Sequence, residues 1–141
     1  MKKNLLTTSA PNLALLILRI GIGVMFMIHG IPKLMGGIPV WEFLGSQMSI
    51  LGIGFGFTFW GFMAAFSESI GGLLLIFGFF TRPAAMLMLF TMFMAALMHF
   101  TNGDGLKGAS HALEMGIVFI SIIISGAGKY SLDKLISKSK K

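Results

Sequence analysis

The sequence predicts an all-α fold, an integral membrane four-helix bundle with both termini cytoplasmic. Three observations predict it. Of 141 residues, 55% are hydrophobic and only 11% charged, whereas a soluble domain carries about 25% charged residues to cover its surface. Apolar stretches of about 20 residues, the length that crosses a hydrocarbon core, recur four times along the chain. Basic residues gather on one side of those stretches: Lys2, Lys3, Arg82, Lys129, Lys134, Lys138, Lys140 and Lys141. Only Lys33 and Lys107 approach the other side, which also holds Glu42 and Asp104. Excess Lys and Arg mark cytoplasmic flanks, so the termini are expected inside.

The whole chain, residues 1–141, reads as a single transmembrane domain. Its first span is expected over residues 12–34. Lys2 and Lys3 ahead of an apolar run resemble a secretory signal, but Arg19 interrupts that run and no small-residue cleavage site follows. Residues 36–54 are rich in glycine and carry Trp41, Phe43 and Met48, as an outer interfacial loop with a short helix after Pro39 would. The second span covers residues 55–80 and the third 82–100, joined by a tight turn whose Pro83 suits the first turn of a helix. A polar loop then leads to the fourth span, 110–126. Residues 129–141 form a basic cytoplasmic tail, in which Ser131 could cap a short amphipathic helix.

Composition removes several function classes. The formal charge of +6 sits in flanking clusters suited to anionic headgroups, so the chain is read as contacting the lipid bilayer and no nucleic acid. With no cysteine, thiolate catalysis, disulfides and cysteine-held iron–sulfur clusters are excluded on this chain. Redox work would need a bound ligand or a partner redox subunit.

Ionisable groups inside a bilayer cost about 3 kcal/mol each at the midplane, so they are expected to face the bundle interior. Arg19, His29, Glu68, His99 and Glu114 fall inside the spans, and Lys33 and His111 lie near the outer boundary. On the first helix Arg19, Gly23, Phe26, His29 and Lys33 share a stripe, and Glu68 interrupts a small-residue face (Gly61, Ala65, Gly72) on the second. On the fourth, His111, Glu114, Val118, Ser121 and Ser125 share another. A rise of about 1.5 Å per residue places Glu68 and Glu114 near the midplane, His29 and His99 about a turn above, and Arg19 about a turn below. Arg19 is then the expected counter-ion of Glu68, because a guanidinium fork matches a carboxylate. These seven residues form the candidate binding interior. A purely structural role stands beside it: a buried Arg–Glu pair can simply tie two helices, and the histidines can bond backbone carbonyls. No catalytic residue and no metal ligand set is assigned. His29 and His99 would permit bis-histidine haem, but two imidazoles alone are a weak signal for a metal centre, and the reading goes against it. The twelve methionines are read as packing.

The ordered motifs resemble the DoxX family of small four-helix membrane proteins. They are Leu18-Arg19, His29-Gly30 and Lys33-Leu34; Glu68, Gly71-Gly72, Gly78 and Thr81-Arg82-Pro83-Ala84-Ala85; and Gly126-Ala127-Gly128-Lys129-Tyr130-Ser131-Leu132-Asp133. Ala127 stands where the family often has proline. The resemblance implies a bacterial inner (plasma) membrane location and a quinone-linked redox or oxidative-stress role. It makes Arg19, His29, Lys33 and Glu68 candidate site residues. Quinone is the ligand it points to, and a partner redox subunit or a homo-oligomer the company. Two other functions stay open: a membrane scaffold or assembly subunit without catalysis, and a small proton or weak-acid transporter.

Overall fold

The computed structural model describes residues 5–139, with side chains over 10–139; Lys2, Lys3, Lys140 and Lys141 lie outside the described residues. The described residues form helices joined by short turns, with no strand among them: α1 (Leu5–Met35), α2 (Gly37–Ser46) with a 3₁₀ turn (Gln47–Leu51), α3 (Phe57–Phe77), α4 (Thr81–Thr101), α5 (Gly105–Ser125) and α6 (Leu132–Ser139). Four helices are long and apolar enough to cross a membrane: Ala10–Met35, Phe57–Phe77, Thr81–Thr101 and Gly105–Ser125. The expected spans are all present. Their large apolar side chains, such as Ile17, Ile117 and Ile124, are exposed, as they must be where lipid is the solvent.

Two expected loops are tighter than the sequence suggests. The segment after α1 is helical from Gly37, two residues before Pro39, and lies across α3. It gets that close because Gly45 and Gly61 have no side chains. A Cβ on Gly45 would strike the Phe57 carbonyl, and one on Gly61 the Trp41 carbonyl. The α4–α5 connection is only Asn102–Asp104, because Gly103 (φ 82°) and Gly105 (φ 63°) take the left-handed backbone that a three-residue reversal requires.

α1 packs on α3, α3 on α4, and α4 on α5. The α1–α3 crossing is again a glycine contact: a Cβ on Gly23 would lie 2.6 Å from the Gly72 carbonyl, and one on Gly30 would meet the Ser69 backbone nitrogen. Core side chains are Phe26, Leu75, Met88, Met92, Phe119 and Ile122. The flanking helices α1 and α5 meet at Phe26 and Phe119, whose rings stand edge to face with centroids 5.1 Å apart.

At the end holding both termini, the motif after α5 folds back as a clamp. Asp133 Oδ1 accepts the Phe80 N–H (2.9 Å) and Oδ2 the Thr81 N–H (3.0 Å). A carboxylate thus sits at the α4 N-terminus, where the helix dipole favours negative charge. These bonds also hold Phe80 at φ 46°, the one non-glycine residue described with positive φ. Ser131 Oγ accepts the Lys134 N–H (3.3 Å), the cap expected for the tail helix. Lys129 N–H donates to Asn12 Oδ1 (2.8 Å), so the start of α1 and the tail lie side by side.

Candidate functional site

Arg19 does not pair with Glu68. Its side chain is fully buried, and it donates to the Leu75 carbonyl (2.9 Å) and the Tyr130 carbonyl (2.6 Å). The register of the glycine crossing explains the difference. With Gly23 against Gly72 and Gly30 against Ser69, antiparallel α1 brings Arg19 level with Leu75, about two turns from Glu68. Arg19 therefore ties α1 to α3 and to the tail, and belongs to the clamp.

The cation that reaches Glu68 is Lys33. Its Nζ donates to Oε1 (2.8 Å) and Oε2 (2.6 Å). The carboxylate side chain is 5% exposed and the lysine 36%, so a buried anion is held by a cation whose other face is open. That face is turned to a space. Trp41 Nε1 donates to the Lys33 carbonyl (3.1 Å), fixing α2 to the end of α1 above the pair.

Between α1 and α5 lies a cleft of about 520 Å³, floored by α4 and by Lys33 and Glu68. His29, His99 and His111 line it with the pair. Five of the seven expected site residues therefore meet in one place. His99 is oriented from the α4–α5 turn: its Nδ1 lies 2.8 Å from Asp104 Oδ2. A carboxylate only accepts, so Nδ1 donates and Nε2 is left to face a ligand. Ile22, Met25, Phe26, Met92 and Met115 supply an apolar lining. The result is a cleft with hydrogen-bonding groups gathered by the Lys33 end of the helices and apolar side chains toward Phe26. Among the described residues no group of three or more His, Asp or Glu is placed to hold a metal ion.

The pair also bounds a second cavity of about 370 Å³ between α2, α3 and α4, walled by Trp60, Met63, Phe90 and Met94. There the polar groups beyond the pair are few, chiefly Gln47 and the hydrogen-bonded hydroxyls of Ser67 and Thr91 (3.2 Å).

Glu114 does not join the interior. It is exposed on α5, because the face that packs is Ala109, Ala112, Phe119 and Ile122. The two acids expected near the midplane therefore differ: Glu68 is buried and paired, and Glu114 faces outward. Asp104, which sequence reasoning counted only among the outer charges, turns out to orient His99. The available signal was its place five residues after a histidine, next to Gly103 and Gly105.

The DoxX family model matches residues 14–101, from the first turns of the α1 span to the end of α4. The chain belongs to the DoxX family. Every cleft residue from His29 to His99 lies within the matched stretch, and His111 and Glu114 lie beyond it. Among curated DoxX-like relatives, the chain is 28% identical over 126 residues to the Bacillus subtilis (strain 168) protein named "Putative oxidoreductase CatD", covering 89% of each chain. It is 28% identical over 137 residues to inner membrane protein YphA of Escherichia coli (strain K12), covering 89% of this chain and 92% of YphA. Inner membrane protein YqjF of the same strain is 29% identical over 133 residues, 90% of this chain and 95% of YqjF. No solved structure matches the chain. With four spans and this kinship, it is a multi-pass inner-membrane protein.

Proposed function

We propose that this DoxX protein binds a lipid-soluble quinone or quinol in the α1–α5 cleft and serves a quinone-linked redox or oxidative-stress system. The observation that carries the reading is the Lys33–Glu68 pair at the floor of a cleft lined by His29, His99 and His111. A quinone ring presents two carbonyl oxygens that accept hydrogen bonds and an apolar tail. The cleft offers donors at its Lys33 end and apolar side chains beside them. His29 would donate to one carbonyl of a quinone, His99 Nε2 would accept from a hydroxyl of a quinol, and Lys33 would stay with Glu68 or turn to the other oxygen.

Interconversion of quinone and quinol moves two electrons and two protons. Imidazole and carboxyl groups suit the protons, since their protonation changes in the range general acid–base chemistry uses. The electrons would pass through a bound ligand or a redox partner, since the chain has no cysteine of its own to carry them. The name of one relative, "Putative oxidoreductase CatD", agrees with such a system.

Titration of purified protein with a short-tailed quinone tests the reading. Saturable binding, weakened about tenfold or more in His29→Ala and Glu68→Gln, is expected. Equal affinity in wild type and both variants would defeat it. Retained capture of membrane partners with no quinone binding would favour the scaffold reading.

A further inference from the structure

Among the described residues, α5 carries a polar stripe on its outward face. On α5, Lys107, His111, Glu114, Ser121 and Ser125 fall within a sector of about 80°, at 100° per residue. All five are exposed, and the stripe runs the length of the span. The Ser121 and Ser125 hydroxyls are satisfied on the helix itself, by the Ile117 and Ser121 carbonyls. Glu114 has no such bond among the described residues. It stands nine residues from the start of a 21-residue span, about 14 Å down the helix, among exposed Ile117 and Ile120. A carboxylate at that depth against acyl chains costs about 3 kcal/mol.

We infer that the α5 stripe is the seam of a homodimer, packed against the same stripe of a second copy. The stripe is self-complementary, which a twofold contact demands. Each copy brings an acceptor, Glu114, and a donor one turn away, His111. A twofold axis along the membrane normal sets equal residues at equal depth. Glu114 and His111 lie on opposite sides of the stripe's centre, so Glu114 of one copy reaches across the seam, about 4.5 Å along it, to His111 of the other, twice over. Ser121 and Ser125, four residues apart, let the two helices approach closely nearer the other end. A purely apolar partner would leave Glu114 unmet, whereas a second copy brings His111 to it and leaves Lys107, near the end of the span, to water. His111 also rims the ligand cleft, so the seam runs beside the cleft mouth and covers its α5 edge.

The cysteine-free chain allows a direct test in native membranes and in purified, reconstituted protein. Ser121→Cys should form a disulfide-linked dimer on mild oxidation. Ile120→Cys, one residue along but about 100° around the helix, should stay monomeric, as should Ile17→Cys on the outside of α1. Glu114→Lys in the Ser121→Cys background should lose most of the dimer, and His111→Glu added to it should restore it. Failure of Ser121→Cys to cross-link in both settings overturns the proposal. So does equal cross-linking at Ile120 or Ile17, or a product that is heavier than two copies and forms only in native membranes. The Ser121, Ile120 and Ile17 comparison does not depend on whether the charge-reversed variants fold.

Discussion

Lys33 Nζ sits within 2.8 Å of both Glu68 carboxylate oxygens, joining the end of α1 to the middle of α3. The pair is the shared wall of the imidazole-lined cleft and the apolar chamber behind it.

Breaking one side of this pair should be worse than replacing both. Lys33→Met leaves a buried carboxylate alone and should cost about 3–5 kcal/mol, while Lys33→Met with Glu68→Leu should recover much of that. Thermal unfolding in detergent of the single and double variants checks it. Additive losses would mean the pair does not couple.

Gly30 should be irreplaceable where Gly21 is not. A Cβ at Gly30 would run into the Ser69 nitrogen and lie 2.8 Å from Glu68 Cβ, whereas nothing lies within 4 Å at Gly21. Gly30→Ala should lower the melting temperature by several degrees. Gly21→Ala should leave it unchanged or raise it, since glycine within a helix costs about 0.5–1 kcal/mol relative to alanine. Paired thermal melts of the two variants suffice.

The clamp and the cleft should separate experimentally. Arg19 donates to two carbonyls on different elements, a geometry that a forked guanidinium meets and a single ammonium does not. Arg19→Lys and Asp133→Asn should both speed hydrogen exchange of the backbone over residues 78–81 and 128–134. Neither should change exchange around His99 and Gly105. Protection lost equally at both ends would show that the clamp supports the whole bundle.

Much of this fold is legible in the sequence, because lipid imposes a simple demand: about 20 apolar residues per crossing. Partners were harder to read than spans. Arg19 and Lys33 lie on one α1 stripe, and only the contacts of Gly23 and Gly30 with α3 decide which of them reaches Glu68. The short helix expected after Pro39 is present as α2, but it starts two residues earlier, at Gly37, and its packing on α3 rests on Gly45 and Gly61, a contact that the pattern of the sequence does not show. The rule that intramembrane charges turn inward held for Glu68 and missed Glu114, because the face of α5 that packs is the one carrying Ala109, Ala112, Phe119 and Ile122. The motif ending in Asp133 was recognisable as a string, but its work as a cap on α4 depends on a contact across 52 residues.

The central claim is that the space between α1 and α5 is where the ligand sits. Met25 and Met115 line that space from opposite helices, and the chain has no thiol of its own to interfere. Joining Met25→Cys to Met115→Cys with a short thiol cross-linker should block quinone binding, while the unlinked double variant binds as wild type does. Undiminished quinone affinity with the two helices linked would contradict the account.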